Sequence, residues 1–253
     1  MKMTWIKTIG LAAMTVMHSH AIFGIGGQWA PSPGLEIAKD SGTLAGTNNN
    51  AILLKEKGAT GLKGFGLKLW IDALPFLDIE ASSNFQFGYY DVDLVSDGVT
   101  VPVKAKLDLP FVEGRPVFAR IVSDASLLYP FLKLPPMVSL AKLYAGAGIT
   151  HVMGTEVLNA KFSRKAVTKA VAAGKVSATN PTTTEVSNAL IDAIKDEGLA
   201  SGIGFHLMAG VRVKPPIIPL AVFANVKYHM LGAMPASVDA NSLSFELGGG
   251  IAF

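Results

Sequence analysis

Twelve residues at the end of the chain, Ser242 to Phe253, constrain the fold more than any other stretch. They read S-L-S-F-E-L-G-G-G-I-A-F. Successive side chains of a strand point to opposite faces. Leu243, Phe245, Leu247, Ile251 and Phe253 therefore share one face, and Ser244, Glu246, Gly248, Gly250 and Ala252 the other. Nothing follows Phe253 to cover the apolar face, so a cover from outside the chain is expected. A lipid bilayer supplies one.

The same period of two recurs upstream, and seven further strands are predicted from it. Phe23, Ile25 and Trp29 alternate with Gly24, Gly26 and Gln28. Phe65, Leu67, Leu69 and Ile71 oppose Gly64, Gly66, Lys68, Trp70 and Asp72. Ile79, Ala81, Phe85, Phe87 and Tyr89 oppose Glu80, Ser82, Asn84, Gln86 and Tyr90. Similar faces are read over 116–129, 140–152, 201–214 and 220–230. Apolar residues on one face and charges on the other, in one shared register, are hard to reconcile with a buried sheet. Eight strands are expected, or ten if 99–109 and 126–133 each form one.

The connections alternate in length. Those near 73–78, 130–138 and 214–218 are short and rich in proline; those near 30–63, 93–115, 153–200 and 231–241 are long and polar. Residues 30–63 read as a loop with one helical turn around Ala51 to Lys57, and 99–109 as a projecting hairpin. Residues 156–173 carry helical spacing, with Lys161, Arg164, Lys165 and Lys169 on the polar side. Thr182 and Glu185 form a capping box ahead of Val186, Leu190 and Ile194, with Gly198 as the stop.

Residues 1–21 have the pattern of a secretory leader: Lys2 and Lys7, an apolar run from Ile9 to Met17, then Ser19-His20-Ala21. Half of the chain is apolar, yet no run approaches the roughly 18 apolar residues of a membrane helix. The formal charge is +3, of which Lys2 and Lys7 carry two, so charge gives no reason to expect nucleic acid. There is no cysteine, hence no disulfide or thiolate metal site.

Leader, alternation, loop asymmetry and terminal aromatic together resemble the bacterial outer-membrane β-barrel proteins over roughly 22–253. The resemblance implies an all-β, up-and-down antiparallel transmembrane barrel with a short helical external insertion. It further implies export by the general secretory route to the outer membrane. Phe245, Leu247, Ile251 and Phe253 would then form the signal that the barrel-assembly machinery reads, with the last strand closing on the first. Trp29, Tyr89 and Tyr228 would lie at the outer membrane interface, and Tyr129 at the inner one.

An eight-stranded barrel is just wide enough inside for side chains. Its inward face would carry Lys68, Asp72, Glu80, Arg120, Asp124, Lys142, His206, Arg212, Lys227 and Glu246, read either as a salt-bridged network or as a polar ligand site. His206 and His229 face inward on neighbouring strands that run in opposite directions, so different heights are expected for them. Ser201 and Ser244 are read as inward but lack a nucleophile motif. No metal cluster, cofactor or enzymatic activity is expected. The leading reading is a monomeric, non-enzymatic barrel, structural or admitting a small or apolar molecule. The alternatives are a surface-binding or adhesin-type barrel acting through 30–63 and 153–200, or an exported soluble β-barrel with an apolar ligand. Partners would be membrane lipid and, through the basic helix, lipopolysaccharide.

Overall fold

A computed structural model describes residues 23–46, 50–72, 76–104, 114–134, 140–197, 199–215, 218–232, 234 and 238–253. The expected leader 1–21, the expected stop at Gly198, residues 105–109 of the expected hairpin, and parts of the connections near 73–78, 130–138 and 214–218 lie outside them. Among the described residues no helix is long and apolar enough to cross a membrane.

Eight strands close into an antiparallel ring. They are β1 (Phe23–Trp29), β5 (Ala59–Ile71), β6 (Asp78–Tyr89), β9 (Val117–Leu134), β10 (Ala141–Thr155), β11 (Leu199–Val213), β12 (Leu220–Leu231) and β13 (Asn241–Ala252). β1 pairs with β13 on one side and β5 on the other, which removes both sheet edges. Phe253 and Phe23 fasten the seam through backbone hydrogen bonds in both directions, at 2.7 and 3.2 Å. Residues 126–133 belong to β9, whose length comes from one continuous alternation, so no tenth barrel strand arises there.

The ring is inside-out relative to a soluble protein. Phe65, Leu67, Ile149, Ile203, Phe205 and Leu247 stand in the open on its outer face, each more than half exposed. A contiguous apolar band of this size on a soluble monomer would drive association; facing lipid it needs no further cover.

Above the ring, at the end of the long connections, stands a second structure with a hydrophobic core of its own. β2 (Ser32–Ile37) runs on from β1 and takes over the upper part of β5. β3 (Asp40–Ala45), β4 (Ile52–Glu56), β7 (Val92–Ser96) and β8 (Val99–Pro102) form a separate four-stranded sheet in that order. Residues 51–57 are thus mostly strand, contrary to the helical turn expected there. Ile52 and Leu54 point into the core opposite Leu94, and only a strand puts alternate residues on that face. β8 extends this sheet and not the barrel.

Two helices, α1 (Ala160–Ala172) and α2 (Thr183–Glu197), complete this cap. Asn159 caps α1 by accepting from the Phe162 N–H at 2.8 Å, and Gly174, at φ +71°, ends it in the left-handed conformation that glycine adopts freely. Thr182 and Glu185 form both bonds of the capping box, at 2.9 and 3.2 Å. α1 packs on β3, where the Asp40 carboxylate accepts from the Ala160 N–H at 2.7 Å. Leu35, Ile37, Tyr90, Phe118, Leu158 and Val186 meet in the cap core and roof the barrel.

Candidate functional site

Parity along eight strands sends the polar rows inward, and the small residues opposite them leave room for long side chains to cross the lumen. At the end with the short turns, Asp72 Oδ1 accepts from Lys142 Nζ and Arg212 Nη1, both at 2.7 Å. Lys142 also holds Asp78, and Lys214 lies 3.3 Å from Asp72 Oδ2. The Arg212 guanidinium continues upward to Glu80 Oε2 at 2.7 Å, passing over the rings of Trp70 and Tyr144 at 4.9 and 5.4 Å.

Mid-barrel, Lys68 Nζ bridges Glu80 Oε1 and Glu246 Oε2 at 2.6 and 2.7 Å. Lys227 Nζ bridges Glu246 Oε1 and Asp124 Oδ2 at 2.8 and 2.9 Å and also donates to Ser82 Oγ. Asn84 and Asn225 donate to the remaining lone pairs of Glu246 at 3.0 and 2.8 Å. One connected chain of opposite charges therefore runs from Asp72 to Asp124. Lys68, Lys227, Glu80 and Arg212 are at most 1% exposed. Burial of single charges in this way costs several kcal/mol each unless every one is paired and hydrogen-bonded.

Higher still, Asp124 meets both histidines. His206 Nδ1 lies 3.5 Å from Asp124 Oδ1, with the Thr150 hydroxyl between them, and His229 Nε2 lies 3.3 Å from Oδ2. The histidines are direct cross-strand partners at one height, with ring centroids 5.7 Å apart. This corrects the expectation of different heights: an antiparallel hairpin pairs residues equidistant from its turn, and these two are. Gly148 makes the arrangement possible, because a Cβ there would meet the His206 ring at 2.6 Å.

The sequence suggests no close cluster of histidines and carboxylates, yet ligand atoms of Asp124, His206 and His229 lie within 4.8 Å of one another. The Lys227 ammonium already occupies the cationic position beside Asp124. Both ring nitrogens of His206 are engaged, by Thr150 at 2.9 Å and Ser126 at 2.8 Å. The donor set fits a satisfied polar core better than a divalent ion. Ser126, His206 and Asp124 also stand in the order nucleophile, base and orienter, but each side chain is sealed from solvent. Ser201 is exposed on the outer row with Ile203, not inward; Ser244 is buried 3.4 Å from His229.

At the top, Arg120 donates to Gln86 Oε1 at 2.8 Å and to Ser32 and Ser242 at 3.1 and 3.2 Å, directly beneath the cap core. The neutral members of this lumen, Asn84, Asn225 and Thr150, were legible as inward by parity; charge alone had drawn attention to their neighbours. Asp78 was hidden by its place at a turn. On the outside, Trp29, Tyr129 and Tyr228 are exposed, and Tyr89 is half-buried under the Arg115 guanidinium at 5.8 Å. Phe245, Leu247, Ile251 and Phe253 are exposed along β13 and its end.

In the cap, Glu56 is buried with both carboxyl oxygens unpartnered, directly across the strand pair from Asp40. Burial, reinforced by the Asp40 charge, pushes its pKa up to about 8.

Comparison with solved structures shows the fold of a small bacterial outer-membrane β-barrel. The outer membrane protein OprG from Pseudomonas aeruginosa is 12% identical with a TM-score of 0.51, over 92% of this chain and 97% of that one. Neisserial surface protein A is 12% identical with a TM-score of 0.42, over 91% of this chain and 97% of that one. Ail, the attachment invasion locus protein of Yersinia pestis, is 13% identical with a TM-score of 0.38, over 91% and 96%. At these identities the first likeness speaks for the fold alone, and the other two carry no argument about this chain. No family model and no curated protein matches the sequence.

Proposed function

We propose that the protein is a non-enzymatic barrel of the bacterial outer membrane whose sealed ring holds a folded cap at the cell surface. In this reading it acts through that cap and passes nothing through its lumen. The observation that carries the reading is the unbroken chain of ion pairs from Asp72 to Asp124, closed off above by Arg120 and the cap core. A polar conduit needs hydrated side chains along its wall; here the charges from Asp72 to Asp124 are spent on one another, and Arg120 above them bonds the neutral oxygens of Gln86, Ser32 and Ser242. The outer face fits membrane lipid, and the exposed row on β13 fits the assembly signal. A ring with no free edge is compatible with a monomer.

Conductance of the folded protein in planar bilayers tests the reading. A sealed barrel gives no steady ion current, whereas reproducible open-channel steps that disappear when Lys68 and Lys227 are neutralised would contradict it.

A further inference from the structure

The cap carries a cavity that the barrel fold does not require. It lies between α1 and α2, has a volume of about 320 Å³ and is lined from both helices. This is at the small end of the roughly 300–1,000 Å³ typical of ligand pockets. Its floor is made of short side chains: Ala166 and Ala170 from α1, and Ala189 and Ala193 from α2, with Phe162 at one side. Ala166 and Ala170, and Ala189 and Ala193, recur at a spacing of four, so each pair falls on one face of its helix.

The walls are oppositely charged. Lys165, Lys169 and Lys175 stand on the α1 side, and Asp192, Asp196 and Glu197 on the α2 side. Two cross-links clasp the helices in antiparallel order: Lys165 with Glu197, and Lys175 with Asp192 at 3.7 Å. In sequence, Lys169 falls between the two lysines of the clasps and Asp196 between the two acids. Lys169 and Asp196 both line the cavity, yet they make no ion pair with each other or with any other described residue. An apolar floor thus lies between a cation and an anion that no ion pair engages, although the Lys169 charge also reaches Glu197.

We infer that the interhelical cavity of the cap binds a small zwitterion with a short aliphatic body, its anionic group on Lys169 and its cationic group on Asp196. Charge complementarity selects this class. A purely anionic ligand would leave Asp196 facing it, a purely cationic one would leave Lys169, and an uncharged apolar one would desolvate both. The separation of the two walls sets the length of molecule that fits. The assignment rests on the cap being the working surface, but the two are separable by experiment. Failure to bind leaves a non-conducting lumen intact, and a conducting lumen leaves binding intact.

The test is titration calorimetry on the whole protein, folded in a non-ionic detergent, with ω-amino carboxylates of four to eight carbons as probes. Hexanoate, hexylamine and 1,6-diaminohexane serve as controls. Saturable binding is expected at one chain length, at least tenfold tighter than any control, and weakened tenfold or more by either Lys169→Ala or Asp196→Ala. Both side chains are exposed, so the fold tolerates these changes. Lys169→Glu should exchange preference, losing the amino carboxylate and gaining the diamine. The inference is overturned if no amino carboxylate binds. It is equally overturned if hexanoate or hexylamine binds as tightly, or if neither alanine variant changes the affinity.

Discussion

Lys227 has no contact with solvent, and its ammonium holds Asp124, Glu246 and Ser82 together. Its value to the fold lies less in the pairs it makes than in what its loss would leave. Lys227→Met strands part of the charge of Asp124 and Glu246 in a sealed lumen, and breaking a buried pair from one side costs about 3–5 kcal/mol. Unfolding in urea from lipid vesicles, followed by the loss of heat-dependent gel mobility, should register a loss of that size. The double variant Asp124→Asn/Lys227→Met should recover a good part of it, since the stranded charge goes too. Additive losses would mean that water enters and screens the site. The histidines show why residue-level detail outran the sequence. Parity places His206 and His229 on the inner face, but only the register of the β11–β12 hairpin sets them side by side, and the notch at Gly148 lets His206 reach Thr150.

At the scale of elements, β3 and β4 carry a built-in weakness. Asp40 and Glu56 are direct partners across the pair, and no donor reaches the Glu56 carboxyl. The sign of the effect follows from linkage. Below pH 4.5 the carboxyl is neutral in both folded and unfolded cap. Between 4.5 and about 8 the folded form keeps its proton while the unfolded form has lost it, so cap stability falls as pH rises; above about 8 the slope vanishes. Each unit of separation is worth about 1.4 kcal/mol at most. Asp40 and Tyr90 are electrostatically coupled to Glu56, and Lys39, Lys55 and Lys57 line the same pocket as Glu56. Burial raises the Tyr90 pKa, so its phenol stays neutral throughout this range. Hydrogen exchange at the Leu54 and Lys55 amides should therefore quicken between pH 5 and 8 beyond the intrinsic chemical trend, and Glu56→Gln should remove the excess. An unchanged excess in the variant would place the weakness elsewhere.

The same elements were the hardest to see in the chain. The barrel strands run for 12 to 18 residues apart from β1, long enough for a period of two to stand out against any other. β2, β3 and β4 are five or six residues each, interrupted by Pro33, Gly34 and Gly42, and β4 finds its second partner in β7, some forty residues on. A run such as Ile52-Leu53-Leu54 fits a helical turn as well as a strand when its partner is that far away. The capping box at Thr182 and Glu185 was legible because both of its bonds are local.

For the whole molecule, three surfaces follow from one pattern: an apolar outer band for lipid, an ionic interior bonded to itself, and a cap with its own core in water. The absence of cysteine makes this division directly measurable, because a single introduced thiol has no background. The measurement is maleimide labelling of single-cysteine variants of the folded barrel in lipid vesicles. Ser126→Cys and Ser244→Cys report the lumen, Leu207→Cys and Leu247→Cys the outer band, and Lys55→Cys and Thr100→Cys the cap. With a water-soluble reagent, the cap positions should react within minutes and the lumen and band positions only after unfolding. With a lipid-soluble reagent, the band positions should react while the lumen stays protected. Fast labelling of Ser126→Cys and Ser244→Cys from water in the folded protein would mean an open, wet channel, and the sealed barrel would be wrong.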